Sequence, residues 1–376
     1  MKRASIIAIL IAFFGIYAAK AQVILAQQYE TKADYAFELR DYNTALSHYT
    51  TILKDDPDRA DLYWKTAEAA RLTRRYAAAE KYYEALVGKK EGNAQPLLDY
   101  KLGLVKKSRG KYDEAIARFQ KYLDANATGE MATLATAEIA ASKWASAESK
   151  KSLYTVSHLN ENVNTGFIDA APIQIGSILY FSSAYQATPA DKPVTHVYAT
   201  NFQEKALPLS INSTAEGVHT AHYTVTPEGR RLFYTLSTVN ESGDFETQIW
   251  TRSKDADGTW GFAKMLDSTI NMKGYTTTQP SVGFDKTLNK DVLYFVSNRP
   301  GGKGGLDIWY AEVSKDGDVN MPKNLTAVNS AQDDVTPFFM SEPQILLFAT
   351  EGGESFGGFD IFKMKKDGRE DRKSVV

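Results

Sequence analysis

Few residues in this chain have the types and spacing that could do chemistry. Gly353-Glu354-Ser355-Phe356-Gly357 fits the G-x-S-x-G pattern of a nucleophile elbow. A working elbow sits between a strand and a helix, with an acid and a histidine later in the chain. No histidine follows His222, and the surroundings are glycine-rich, so this stretch reads as a loop. His219-x-x-His222 offers a pair of metal ligands, with Asp333 or Asp334 as further donors. Two histidines fix no coordination geometry, and a surface strand is the plainer reading. Asp255-x-Asp257-Gly258 starts like a calcium loop, but Leu266 stands where the closing glutamate belongs, so a hairpin turn is expected. Asp307 and Asp360 each precede an Ile-aromatic pair. An aspartate recurring there suits a turn cap that accepts backbone N–H bonds, or else lines a face of the fold. The chain has no cysteine, which removes thiolate ligands, cysteine nucleophiles and disulfides together. No acid–base pair or nucleophile group stands out, and neither a metal nor a cofactor is expected.

The elements around these residues are more legible. The chain has 376 residues, 43% hydrophobic and 24% charged, with a formal charge of −2. That is globular composition with room for two cores, and no basic excess points to nucleic acid or anionic lipid. Residues 1–21 read as a signal peptide: a basic Met1-Lys2-Arg3, an uncharged run from Ile6 to Ala18, then Ala19-Lys20-Ala21 as an A-x-A cleavage pattern. The run would span only about 20 Å as a helix, short of a hydrocarbon core about 30 Å thick. The expectation is cleavage before Gln22 and a periplasmic, non-lipidated mature chain.

From 22 to 150 the apolar spacing is helical, and one pattern occurs three times. It reads Tyr42-x-x-Ala45-x-x-x-Tyr49, Tyr76-x-x-Ala79-x-x-x-Tyr83 and Tyr112-x-x-Ala115-x-x-x-Phe119, with Ala33, Ala67 and Gly103 twelve residues before each alanine. Small residues there let paired helices approach closely, while the aromatic fills the space between hairpins. The region resembles the tetratricopeptide repeat, though Tyr29, Tyr63 and Asp99 stand where its tryptophan belongs. Met131 to Ser149 is expected to cap the stack. In such a stack the first helix of each hairpin lines a concave face. The resemblance therefore places Trp64 and Tyr100 at one position there, and Arg71 and Lys107 at another. Aromatics beside cations suit an extended peptide with an acidic end; ordinary solvated helix surface is the alternative.

From 151 to 366 the period becomes two, and a second unit appears four times. Its strand core recurs as Tyr180-Phe181-Ser182, Phe233-Tyr234-Thr235, Tyr294-Phe295-Val296 and Leu347-Phe348-Ala349. Ahead of each unit stands an aliphatic-Asn pair, ending in Asn164, Asn212, Asn271 and Asn329. Four short strands repeated every 50–60 residues without helices indicate a β-propeller. The fold class is thus multidomain, α plus all-β: a tetratricopeptide α-solenoid followed by a β-propeller with four visible blades. Residues 367–376 break the pattern as a polar tail. Truncation within a longer protein is the favoured explanation; Leu153–Ser157 completing the last blade is the other.

The third copy, Ser297-Asn298-Arg299-Pro300-Gly301-Gly302-Lys303-Gly304-Gly305-Leu306-Asp307-Ile308, resembles the WD-like repeat of periplasmic propellers such as that of the Tol system. Repeats followed by this propeller resemble the amino-terminal portion of OmpA-family envelope proteins, found in the phylum that uses type IX secretion and gliding. The resemblance implies a non-enzymatic scaffold whose partners are other cell-envelope proteins. Peptidoglycan binding would belong to a further domain that this sequence does not display. The rival is a propeller enzyme or glycan-binding protein with a small ligand in its central channel, which a polar cluster there would favour.

Overall fold

The computed structural model describes residues 25–148, 157–164, 167–185, 193–239, 245–353, 355–365 and 372–375. The expected signal peptide (1–21) and residues 153–156 lie outside them. The chain divides into two compact units, Met1–Lys151 with Glu354–Gly357, and Ser152–Gly353 with Gly358–Val376.

The first unit is helical. It runs through α1 (25–38), α2 (Tyr42–Asp55), α3 (Tyr63–Leu72), α4 (Tyr76–Leu86), the short α5 (Lys90–Asn93), α6 (Leu98–Ser108), α7 (Tyr112–Ala125) and α8 (Glu130–Glu148). Asp41 caps α2 by accepting from the Thr44 N–H at 3.1 Å. The small positions act as the spacing demands: Ala33, Ala45, Ala67, Ala79 and Ala115 are fully buried. Gly103 goes further, because a Cβ there would stand 2.6 Å from the Phe119 ring. Tyr49, Tyr83 and Phe119 fill the interior of successive hairpins. These are tetratricopeptide-like hairpins, with α8 packed on the last of them.

The second unit is four four-stranded antiparallel sheets. They are β1 (Asp169–Ile175), β2 (Ile178–Tyr185), β3 (Val194–Thr200) and β4 (Leu207–Pro208); β5 (His219–Val225), β6 (Arg231–Val239), β7 (Phe245–Ser253) and β8 (Lys264–Met265); β9 (Thr277–Asp285), β10 (Lys290–Ser297), β11 (Asp307–Val313) and β12 (Lys323–Asn324); and β13 (Asp334–Met340), β14 (Ile345–Thr350), β15 (Asp360–Lys365) and β16 (Arg372–Val375). Each sheet is a simple meander in chain order, as propeller blades are. The tail, expected to carry no strand, supplies β16, which pairs with β15 from Phe362↔Val375 to Lys365↔Arg372. The unpaired edge of β15 accounts for this: its backbone groups can recruit polar residues as readily as apolar ones.

Alternating side chains give each blade two apolar faces, and neighbouring blades share cores. Val197 and Ile173 of the first blade meet Tyr223, Leu232 and Tyr234 of the second. Phe233 and Ile249 then meet Leu293, Phe295 and Trp309 of the third. Tyr294 and Ile308 meet Phe339, Phe348 and Phe362 of the fourth. A strand buried on both sides explains why the strand cores are continuous apolar runs.

Candidate functional site

On α3, Trp64 is half-buried, with its ring edge-on to Tyr83 at 5.5 Å between centroids. Arg71 keeps 20% of its side chain exposed and is paired with Glu68 at 2.7 Å, one turn back on the same helix. Tyr83 O–H donates to the same carboxylate, and Lys101 from α6 approaches it at 4.0 Å. Burial pushes the Glu68 carboxyl up, but the Arg71 and Tyr83 bonds and the Arg71 charge outweigh it and hold the group below the usual glutamate range. Lys101 is lowered by burial and by Arg71, against the pull of Glu68.

The matching positions on α6 differ. Tyr100 is 7% exposed and packs against Phe119 and Tyr122, with centroids 5.7 Å away in both cases. Its phenol is pushed up to about 12, by burial first and then by the Glu138 charge. Lys107 is 3% exposed and donates to Glu138 on α8 at 2.8 Å. It also donates to Ser355 Oγ at 2.9 Å, a residue that groups with the helical unit. Trp64 and Arg71 therefore stay partly open, while Tyr100 and Lys107 are covered because α8 packs beside α6. Repeat register does not encode that cover, which comes from a helix outside the repeated hairpins.

A second pairing escaped the repeat reading. Asp34 accepts from Tyr49 O–H and Glu68 from Tyr83 O–H. In the third repeat the aromatic is Phe119, which has no hydroxyl, and the acid's place is taken by Leu104. The joint loss of both partners was the available signal.

In the β unit the repeated asparagines divide into two groups. Asn212, Asn271 and Asn329 each clamp the third strand of the preceding blade through both amide atoms. Oδ1 accepts from the N–H of Val197 (2.8 Å), Ile249 (2.8 Å) and Ile308 (2.9 Å). Nδ2 donates to the same residues' carbonyls at 2.9, 2.9 and 2.8 Å. The side chain thus continues the ladder just beyond the short outer strand. Asn164 precedes the first blade, and among the described residues it clamps no such strand; it donates to the Leu159 carbonyl at 2.8 Å and bonds His158 at 2.7 Å.

Asp307 is 1% exposed and its Oδ2 accepts from the N–H of Lys303 (2.6 Å) and Gly304 (3.4 Å), capping the glycine-rich turn. Gly302 is required by that cap, since a Cβ there would stand 1.8 Å from Asp307 Oδ2. Asp360 opens β15 in the fourth blade. Asp257 Oδ1 accepts from Thr259 N–H and O–H at 2.9 and 2.6 Å, an Asx turn at the tip of a hairpin. Ser355 is buried against Lys107, and the two histidines hold different threonines, His219 with Thr195 and His222 with Thr235.

His222 belongs to a set that sequence reasoning missed. Ala171, His222, Gln279 and Thr336 occupy the same position on the four innermost strands, β1, β5, β9 and β13. All four lie in the left-handed region, with φ of 52, 57, 54 and 51°. Each sits where the register with the next strand slips, so each is the extra residue of a β-bulge. The bulged N–H groups find side-chain acceptors: His222 on Ser182 Oγ (3.0 Å), Gln279 on Thr235 Oγ1 (3.2 Å). The third blade has Val296 where the others have Ser182 and Thr235, and there Gln279 Oε1 accepts from the Thr336 N–H instead, at 2.7 Å. These four residues line one cavity of about 380 Å³ within the β unit.

Helical hairpins of this type followed by four-stranded blades define a tetratricopeptide-plus-propeller architecture. The tetratricopeptide-repeat family model matches residues 31–94. No curated protein gives a match. Among solved structures, the first TPR of Spaghetti (RPAP3) bound to an HSP90 peptide is 21% identical, over 32% of this chain and 93% of its own, with a TM-score of 0.28. An alpha-L-arabinofuranosidase from Lactobacillus brevis is 13% identical over 55% of this chain and 73% of its own, with a TM-score of 0.38. Puromycin hydrolase is 12% identical over 56% of this chain and 39% of its own, with a TM-score of 0.34. At these scores none of the three lends its activity to this chain. Among the described residues, no helix is long and apolar enough to cross a membrane.

Proposed function

We propose that the protein is a non-enzymatic periplasmic scaffold of the cell envelope, of the OmpA-family kind associated with type IX secretion. On this reading the helical unit grips another envelope protein. The observation that carries it is the partly open α3 surface, where Trp64 and the Arg71–Glu68–Tyr83 network lie side by side on tetratricopeptide hairpins. An aromatic beside an oriented guanidinium suits an extended segment with an acidic group, the aromatic anchoring and the cation steering. The sequence candidates have other duties: Ser355 is a buried contact of Lys107, His222 sits on a bulge, and Asp307 and Asp257 cap turns.

The test is capture of envelope proteins by the full-length chain against the Trp64→Ala/Arg71→Ala double variant, with circular dichroism as the folding control. Trp64→Ala weakens the captured complex about tenfold, and Arg71→Ala mainly slows its association and reduces its salt dependence. An unchanged set of partners with the fold intact moves the binding surface off α3.

A further inference from the structure

The bulged residues do more than bend their strands. Each brings the next two residues of its strand to the cavity wall, which is why Pro172, Pro280 and Pro337 line it together with Tyr223 and Phe338. Proline has no N–H to leave unpaired, so a wall of this kind is dry and apolar without wasting ladder bonds. The fourth blade adds Phe348 and the half-exposed Ile361 at the rim. Among the described residues, no lysine, arginine, aspartate or glutamate lines it.

The polar groups on this wall are His222, Gln279 and Thr336, with Thr224 and Ser281 beside them. The last two are spent between blades: Thr224 Oγ1 accepts from the Val282 N–H at 3.1 Å and Ser281 Oγ from the Phe339 N–H at 2.9 Å. Gln279 has its oxygen committed to Thr336 N–H, while its amide nitrogen and the Thr336 hydroxyl have no partner among the described residues. Thr235 Oγ1 accepts from Gln279 N–H and is 3.3 Å from His222 Nδ1. The same hydroxyl is 3.3 Å from Thr278 Oγ1, so His222 Nδ1 can either accept from it or donate to it. Burial lowers His222 to about 4, so its ring is neutral at pH 7. The cavity therefore presents a group of uncharged donors set in an apolar wall. An ion entering it would lose its hydration without gaining a counter-charge. A carbonyl oxygen would meet the donors, and an apolar body would displace water from the prolines and aromatic rings.

We propose that the four bulges build a binding site for an uncharged small molecule with a carbonyl head and an apolar body. The volume, about 380 Å³, falls in the range of small-ligand pockets. The site lies wholly within the β unit and stands whether or not the helical unit grips a partner.

The full chain, isotope-labelled at its five histidines, is titrated with N-acetyl-L-phenylalaninamide and, separately, with N-acetyl-L-phenylalanine. The two probes share a body and differ in charge. The amide should give a saturable shift of the His222 ring signals in the millimolar range, and the carboxylate should bind at least about tenfold more weakly. Ile361→Trp, placed at an exposed rim position where folding tolerates it, should fill the cavity and abolish the shift. Gln279→Leu should weaken the amide about tenfold. No saturable shift with the amide, equal binding of the carboxylate, or an unchanged shift in Ile361→Trp overturns the proposal.

Discussion

A repeated residue does not carry a repeated energy; its partners set its worth. Asn271 is nearly buried and satisfies Ile249 N–H and C=O together with the Leu266 carbonyl. Truncating it strands those groups away from water, so Asn271→Ala should cost about 2–3 kcal/mol. Among the described residues the Asn164 side chain bonds only the local Leu159 carbonyl and His158, so Asn164→Ala should cost less than about 1 kcal/mol. Urea unfolding of the two variants checks the contrast, and equal losses would show that the strand clamp is not the source of the stability. The sequence presents these asparagines as four equivalents. What separates them is whether a third strand stands beside them, which a repeat register does not encode.

At the scale of elements, the helical unit depends on close approach at one small residue per hairpin. Gly103 faces the Phe119 ring directly, where Ala33 and Ala67 face neighbours that accept a methyl group. Gly103→Ala should therefore destabilise the unit by about 1–3 kcal/mol, despite alanine's better helix propensity. The melting of α6 and α7 by circular dichroism reads the result, and a neutral or stabilising outcome would mean that Phe119 moves aside freely. An ion cluster centred on the buried Lys106 and Glu80 joins the same hairpins. Lys106, 3% exposed, contacts Glu80, Glu84 and Glu114 at 2.8, 2.6 and 2.5 Å. Glu80 also receives Lys111 at 2.8 Å and Arg109. Burial alone would raise the Glu80 carboxyl, but those cations lower it to about 2.

Across the whole molecule, the two units respond to acid through different groups. In the helical unit Glu80 falls from its ordinary 4.5 to about 2 on folding. The unfolded chain then binds more protons, so this contribution is complete above pH 4.5 and is lost as pH falls toward 2. Glu80→Gln should lose most of that slope. In the β unit two groups oppose each other. His222 falls from 6.5 to about 4, so its contribution is lost as pH drops through that window. Asp291 is raised from 3.8 to about 6 by burial and then by Glu228, and its Oδ1 has no partner among the described residues. Its contribution is present below 3.8 and lost as pH rises through 6. Between pH 4 and 6 the two act in opposite directions in the wild type. Asp291→Asn should expose the histidine: the variant is more stable than wild type at pH 7 and converges on it near pH 4. Denaturant midpoints measured across this range would refute the assignment if the two chains ran parallel.

The two repeat periods, one helical and one of four short strands, were set by spacings that hold along the chain. Small residues every 34 or 36 positions dictate paired helices, and doubly apolar strand cores dictate blades packed on both faces. Such patterns are local and periodic, so the amino-acid order determines them without help. The bulges at Ala171, His222, Gln279 and Thr336 were decided only in the folded sheet. Alanine, histidine, glutamine and threonine share no chemistry, and none favours a positive φ strongly enough to announce it. The extra residue is held by acceptors on neighbouring strands and blades, Ser182, Thr235 and the Gln279 side chain, which exist as neighbours only once the blades have packed. The burial of Tyr100 and Lys107 has the same origin: α8 covers them, and cover is a property of packing across distance rather than of order along the chain.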